Sequence, residues 1–309
     1  MMITIADLPI GQDLVPTTQY EYVAYSRYWE EPVTDKTSKQ IADEEALKRY
    51  FELIPKRVGD LNDYTKGTYQ IVYDPAEIAS LHQEVFERLY KKAKDQGMSD
   101  SKASQLAADF SRPGIVCEDH FWVWVRDPVI SPTGHKHTYN RMIWKSSLDG
   151  TGGFSAYPGG AAALPMIVDG NEKKFALILT FRHATGAWEL EVPRGGRNRP
   201  DESPEEIARR EIQEEAGFVV NNMVYLGGIA PDSGLVSSVV PVFIGEVIAE
   251  KETSCEETEA IKGRYVFTFK ELVEGLKRGS VEINIDEKPT QVFLRDPFLA
   301  YALLMIQSD

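Results

Sequence analysis

The sequence predicts a mixed α/β sandwich over residues 114–309, preceded by a mostly helical N-terminal extension over residues 1–113. Two observations separate these regions. Before Gly114 apolar residues recur at helical spacing, whereas after it short aliphatic and aromatic segments are bounded by Gly, Pro and Asp. A third observation is that strand-like segments then alternate with helical ones, as expected of a sheet covered by helices.

The extension is predicted to contain one long helix and two shorter ones. The long helix has Asp74 as its N-cap and Pro75 at its first position, and it stops at Gly97. The shorter helices are predicted around Ala42–Leu53 and Ser101–Phe110.

The region after residue 114 is predicted to contain five early strands and three helices. The strands are FWVWVRDPVI, YNRMIWKSS, the run around AAALPMIV, KFALILTF and WELEV. The helices are predicted at Ser203–Ala216, Phe269–Lys277 and Pro297–Ile306. A Thr268–Glu271 capping box precedes the second of these helices.

Composition limits the partners and the cellular location. The chain has 309 residues, a net charge of −14 and a pI near 4.9, so no nucleic-acid or membrane partner is predicted. Its two cysteines argue against a disulfide framework or a cysteine-rich zinc site. Because there is no secretory signal and no apolar run of about 20 residues, a cytoplasmic protein is expected.

The predicted helix from Ser203 to Ala216 concentrates acids near its C-terminus. Glu211 and Glu215 are four residues apart and share a face, and Glu214 lies beside them. Acids at this end oppose the helix dipole. Two like charges about 6 Å apart also repel by roughly 3 kcal/mol at an effective dielectric constant of about 20.

Two interpretations of this acidic helix compete. A solvated face that aids solubility would explain the composition but not the placement of the acids. A divalent cation would explain both, because glutamate oxygens suit Mg²⁺ or Mn²⁺, ions that keep waters and bind substrate phosphates. The residues therefore favour a metal cluster.

The same segment resembles the Nudix box, G-x5-E-x7-R-E-U-x-E-E-x-G-U, in which U is apolar. The chain has Gly196, then Glu202 after five residues, then REIQEEAGF from Arg210 after seven more, and every position matches. The resemblance implies a Nudix α/β/α sandwich with a mixed sheet. It also implies hydrolysis, with Mg²⁺ or Mn²⁺, of a nucleoside diphosphate linked to another group.

The resemblance also implies roles for individual residues. Glu211 and Glu215 would be the principal metal ligands, and Glu214 an auxiliary ligand counted among the catalytic residues. The carbonyl of Gly195 would complete the metal site. Glu202 and Arg210 would be mainly structural.

The flanking residues resemble the ADP-ribose pyrophosphatase subfamily. LTFRHATGAWELEVPRGG is similar to that subfamily's Q-[FY]-R … E-[LV]-P-x-G segment, with Thr180 in place of the usual glutamine. Arg182, Glu191 and Arg194 are therefore predicted to bind the substrate. Arg194 could instead balance the nearby acids. Ser233 is a further departure, since it stands where ADP-ribose hydrolases commonly carry proline.

Segments farther from the box extend the resemblance to roughly Cys117–Ile306. CEETEAIKGRYVFTFKELVEGLKRGSV resembles the acidic loop, strand and helix that close the subfamily's domain. In that loop Glu257 or Glu259 would be the general base, the alternative being an exposed acidic loop without a catalytic role. The strands upstream of the box resemble those that the subfamily exchanges between subunits, so a homodimer is expected.

The predicted function is metal-dependent hydrolysis of ADP-ribose to AMP and ribose 5-phosphate. One alternative is an ADP-ribose sensor without turnover, for which residues 1–113 would report occupancy. The other is a Nudix hydrolase of a different nucleotide sugar, a dinucleoside polyphosphate or an oxidised nucleotide. Because the box retains all its acids, the sequence favours an enzyme.

Overall fold

The computed structural model describes residues 36–54, 69–147, 159–255 and 259–307. By backbone proximity the chain divides into residues 1–41 and 42–309. The strands and the candidate site all lie in the second unit.

Three helices precede the main strands: α1 Lys36–Leu53, α2 Pro75–Asp95 and α3 Asp100–Ser111. The Asp74 carboxylate accepts hydrogen bonds from the backbone N–H groups of Ala76 and Glu77, at 3.0 and 2.9 Å. The predicted N-cap of α2 is therefore confirmed. The helix ends two residues before Gly97, which takes a left-handed conformation with φ of +83°.

A four-stranded antiparallel sheet follows, with β3 pairing with each of the other strands. Its strands are β1 Gln70–Ile71, β2 Gly114–Glu118, β3 Trp122–Ile130 and β4 Lys136–Trp144. Tyr50 of α1 and Ile54, which directly follows that helix, pack on buried residues of β3 and β4 such as Val125 and Ile143. Since this sheet takes strands from both sides of residue 113, the division into residues 1–113 and 114–309 stays a prediction.

The remaining strands described by the structure form a nine-stranded mixed sheet. They are β5 Gly160–Asp169, β6 Glu172–Arg182, β7 Ala187–Glu191, β8 Arg194–Gly196, β9 Phe218–Ile229, β10 Val240–Glu250, β11 Ile261–Thr268, β12 Ser280–Ile285 and β13 Lys288–Phe293. The order is β12-β13-β7-β6-β5-β10-β9, with β11 paired to β6 and β8 paired to β5. The β5–β10 and β13–β7 pairs are parallel.

Three helices cover the two faces of this sheet: α4 Pro204–Ala216, α5 Phe269–Arg278 and α6 Pro297–Ile306. Alternate residues of β5 point to opposite faces. Ala161 and Ala163 belong to the core that contains α4, whereas Ala162 and Leu164 belong to the core that contains α5 and α6. The predicted α/β/α sandwich with a mixed sheet is confirmed.

None of the helices described is both long enough and apolar enough to span a bilayer.

Candidate metal centre

Helix α4 is fixed at both ends by local bonds. The Ser203 hydroxyl accepts from the backbone N–H of Glu206 at 3.3 Å, and the Glu206 carboxylate accepts from the backbone N–H of Ser203 at 2.8 Å. Gly217 ends the helix at φ of +65°, and a Cβ there would meet the Lys251 carbonyl oxygen at 2.6 Å. A capping box and a left-handed glycine therefore define the two ends of the predicted helix.

Glu211 and Glu215 face strand β8 and not solvent, being only 4% and 5% exposed. A Cβ at Gly195 would lie on the Glu211 carboxylate, so only glycine allows this close approach. The backbone N–H of Arg194 donates to Oε2 of Glu215 at 2.9 Å. The box helix and β8 therefore enclose both predicted principal ligands.

Arg210 organises the other box acids. Its Nη1 donates to Glu211 Oε1 at 2.7 Å and to Glu214 Oε2 at 2.8 Å. Its Nε donates to Glu202 Oε1 at 2.9 Å, and its Nη2 to the carbonyl of Gly196 at 2.6 Å. One guanidinium thus links α4 to the segment that enters it.

The two buried carboxylates are poorly compensated. Burial raises the pKa of Glu211 to about 7, although Arg210 opposes the shift. Burial, and after it the charge of Glu211, raises the pKa of Glu215 to about 8. A nearby positive charge would favour the ionised form of both groups.

The chemistry of these side chains fits Mg²⁺ or Mn²⁺, which prefer oxygen ligands. Among the described residues, however, no three His, Cys, Asp or Glu side chains are spaced to hold a metal ion. The third predicted carboxylate, Glu214, is bonded to Arg210. The Gly195 carbonyl is directed at β5, where a Cβ at Gly160 would meet its oxygen at 2.5 Å. Glu211 and Glu215 are therefore the residues best placed for a cation.

The predicted substrate-binding residues lie together in one ion-paired network. Arg182 Nε donates to Glu191 Oε2 at 2.7 Å, and Arg194 Nη2 lies 2.9 Å from Glu191 Oε1. Arg194 Nη1 donates to Oδ1 of Asp296 at 2.8 Å. The Arg182 side chain is 39% exposed and the Arg194 side chain 23%, so Arg182 has more surface available to a ligand. Asp296 was not among the site residues predicted from the sequence.

The structure describes only one of the two candidates for the general base. Glu257 lies outside the described residues. Glu259 is exposed. Burial is the main cause of the raised pKa values of Glu211 and Glu215, and the charge of Glu259 adds to both shifts. The loop that carries both candidates starts against α4, because the Ser254 N–H donates to the Glu214 carbonyl at 3.0 Å.

A separate cavity of about 270 Å³ lies between the four-stranded sheet and the segment after β9. Its lining includes Tyr69, Tyr139, the Asp127–Arg141 ion pair and residues 233–237. None of the predicted site residues lines it. This cavity is therefore separate from the site predicted on α4.

The comparison with protein-family models agrees with the box. Residues 158–284 match the family model described as the NUDIX domain. A solved structure described as an ADP compounds hydrolase is 18% identical, with a TM-score of 0.44, and the match covers 63% of this chain and 89% of that one. No curated protein matches the sequence. Because the matched residues contain the whole box, the chain carries a Nudix domain over residues 158–284.

Proposed function

We propose that this Nudix hydrolase cleaves ADP-ribose to AMP and ribose 5-phosphate in a reaction that needs Mg²⁺ or Mn²⁺. The observation that carries the proposal is the pair of buried carboxylates on the box helix. Glu211 and Glu215 are almost without exposed surface, and a single arginine serves the box acids around them. Such a site is electrostatically incomplete until a cation enters it.

Each side chain has a defined task in this proposal. Glu211 and Glu215 would hold the cation, with Glu214 joining them when it leaves Arg210. A bound ion would neutralise charge on the diphosphate and lower the pKa of the attacking water. Glu257 or Glu259 would accept the proton of that water as its oxygen attacks phosphorus and the bridging P–O bond breaks.

Substrate contacts are assigned to the network beside the cation site. Arg182 is the part-exposed guanidinium, and Glu191 orients it through the 2.7 Å bond to its Nε. A guanidinium suits a phosphate because it presents several donors in one plane. The choice of ADP-ribose rests on the resemblance of the Arg182–Gly196 segment to ADP-ribose pyrophosphatases. Ser233 remains a departure from that pattern.

Other aspects of the proposal remain predictions of the sequence. They are the homodimer, the cytoplasmic location, and the absence of nucleic-acid and membrane partners. Size-exclusion chromatography coupled to light scattering would measure the molecular mass of the chain in solution. A mass close to that of one chain would contradict the homodimer.

A substrate panel tests the proposed function. The full-length chain is incubated with ADP-ribose, another nucleotide sugar or a dinucleoside polyphosphate in Mg²⁺ or Mn²⁺. Added phosphatase then releases inorganic phosphate from any phosphomonoester product. We expect the highest kcat/KM for ADP-ribose. A higher value for another compound would replace the substrate but retain the reaction class.

Calorimetric titration separates the enzyme from the sensor alternative. ADP-ribose is titrated into the chain with each metal under the conditions of the turnover assay. Tight binding without turnover in Mg²⁺ or Mn²⁺ would support the sensor and contradict the proposed hydrolysis.

Two single substitutions test the general base. Glu257→Gln and Glu259→Gln are compared with Glu252→Gln, which changes an exposed acid of the preceding segment. Loss of the base should lower kcat by roughly 10²–10⁴-fold. The bystander and the control should stay within a few-fold of the unmodified chain. Normal kcat in both test variants would place the base elsewhere.

A further inference from the structure

Asp296 makes more bonds than a helix N-cap needs. Its side chain has no exposed surface, and its Oδ1 accepts from the backbone N–H of Phe298 at 3.1 Å, which caps α6. Two further bonds leave the helix. Oδ2 accepts from the backbone N–H of Val192 at 2.9 Å, and Oδ1 accepts from Nη1 of Arg194 at 2.8 Å. One carboxylate thus ties α6 to the segment that leads into β8.

Arg194 carries this connection to the cation site. Its guanidinium lies between Asp296 and Glu191, with its Cζ 4.9 Å from the centre of the Phe298 ring. Its backbone N–H donates to Oε2 of Glu215 at 2.9 Å. Asp296 thus holds two points of the segment that presents this N–H, namely the backbone at Val192 and the guanidinium of Arg194. A shift of this segment would move the N–H that bonds Glu215.

We infer that Asp296 is a positioning residue for the metal centre, acting through Arg194 on Glu215. This inference rests on the proposed function, because that proposal makes Glu215 a metal ligand. Asp296 itself would touch neither the cation nor the substrate. Arg194 thereby has a task other than the substrate contact predicted from the sequence. Partners that orient metal ligands typically change metal affinity by about 10–100-fold when they are removed.

The chain offers a matched control next to Asp296. Arg295 Nη2 donates to Oε1 of Glu189 at 2.6 Å, and Glu189 is only 4% exposed. Like the Asp296–Arg194 pair, this pair joins the segment before α6 to the strand region near β7. The contacts described for Glu189 and Arg295 do not include Arg194 or Glu215. Loss of the control pair should therefore affect stability without affecting the cation.

The test measures Mn²⁺ binding to the free full-length protein, without substrate. Electron paramagnetic resonance follows the signal of unbound Mn²⁺ during a titration of each variant. Asp296→Asn keeps the size of the side chain but removes the charge that holds Arg194. We expect it to raise the Kd for Mn²⁺ by about 10–100-fold. The Kd of Glu189→Gln for Mn²⁺ should stay within about twofold of that of the unmodified chain. This should hold even if its thermal unfolding temperature falls as much as that of Asp296→Asn.

Two variants of Arg194 keep the test valid if Asp296→Asn does not fold, and they test whether the effect passes through Arg194. Arg194→Met keeps the backbone N–H to Glu215 but removes the guanidinium, so we expect the same weakening of Mn²⁺ binding if Asp296→Asn does not fold. Arg194→Lys can retain an ion pair with Asp296 and should recover part of the affinity. Saturating Mn²⁺ should also restore part of the kcat lost in Asp296→Asn.

The outcomes are distinguishable from those of the proposed function. The inference is overturned if folded Asp296→Asn, or Arg194→Met in its place, binds Mn²⁺ within about twofold of the unmodified chain. It is equally overturned if Glu189→Gln weakens binding as much. In both cases the unmodified chain would still bind Mn²⁺ and hydrolyse its substrate. Absence of Mn²⁺ binding to the unmodified chain would instead contradict the proposed function, and this inference with it.

Discussion

Two buried charge networks in this chain differ in their balance of charge. In the four-stranded sheet, Asp127 and Arg141 are 3% and 6% exposed and form a bidentate pair. Asp127 Oδ1 also accepts from the Tyr50 hydroxyl at 2.6 Å. The positive charge of Arg141 is therefore paired with the negative charge of Asp127, and the neutral Tyr50 hydroxyl donates a further hydrogen bond to the carboxylate.

The network at the Nudix box has an excess of negative charge. Among the described contacts, Arg210 supplies the only guanidinium that bonds to box acids. It donates hydrogen bonds to Glu202, Glu211 and Glu214. Glu215 accepts only a neutral N–H in the bonds described. The comparison shows what distinguishes the two sites. A balanced network is complete in the folded chain, whereas the unbalanced one has capacity for a cation.

The largest expected effect comes from removing the excess charge at the box. Glu211→Gln and Glu215→Gln should lower kcat by several orders of magnitude, because each removes a proposed cation ligand. Their unfolding temperature in EDTA should stay equal or rise, since a buried like charge is removed. Glu205→Gln is the control, because its acid is half exposed and pairs with Arg209 on the same helix. Near-normal kcat in both test variants would remove the metal assignment.

Breaking the balanced network should affect stability and leave the chemistry intact. Asp127→Ala leaves Arg141 buried without its counter-ion, and we expect a loss of about 3–5 kcal/mol in the free energy of unfolding. Urea unfolding measures this loss, and kcat per folded molecule should stay within a few-fold. The double variant Asp127→Leu/Arg141→Met should recover much of the stability. A loss below about 1 kcal/mol in the single variant would contradict the importance given to the pair.

Adding a cation should stabilise one network and not the other. Mn²⁺ at a hundred times its Kd should raise the free energy of unfolding by about 2.7 kcal/mol, because it binds the folded chain. Glu215→Gln should abolish this gain at the same Mn²⁺ concentration, whereas Asp127→Ala should retain it. The same gain in Glu215→Gln as in the unmodified chain would mean that Mn²⁺ binds elsewhere. Thermal unfolding in EDTA and in Mn²⁺ provides both measurements.

Local signals made much of the fold and the box predictable. The predicted helix Pro297–Ile306 has the observed bounds, and the box helix begins one residue after its predicted Ser203. Both helices are marked by an N-cap and by Pro at the first turn, and the box helix also by a terminal Gly, signals that act within a few residues of sequence. The acids of the box were also readable, because their spacing places Glu211 and Glu215 on one face.

Long-range pairing was not predictable in the same way. Asp296 meets Arg194 across 102 positions of sequence, and nothing near Asp296 distinguishes it from an ordinary N-cap. The segments FWVWVRDPVI and YNRMIWKSS were recognised as strands, but their membership in a sheet separate from β5–β13 was not, because strand patterns do not specify partners. The bond between Glu214 and Arg210 likewise could not be read from residue spacing alone, since several acids compete for one guanidinium.

The smallest expected effect comes from a balanced pair near the surface of the four-stranded sheet. Hydrogen bonding to Arg49, with help from Lys145, lowers the pKa of Glu118 from 4.5 to about 2. The stabilisation should therefore be present above about pH 4.5 and be lost as the pH falls toward about 2. Since the Arg49 and Glu118 side chains are 44% and 25% exposed, solvent limits it to about 1 kcal/mol or less. In urea unfolding, Glu118→Gln should be slightly less stable than the unmodified chain at pH 6, and the difference should shrink toward pH 3. A difference that is constant or grows on acidification would contradict this assignment.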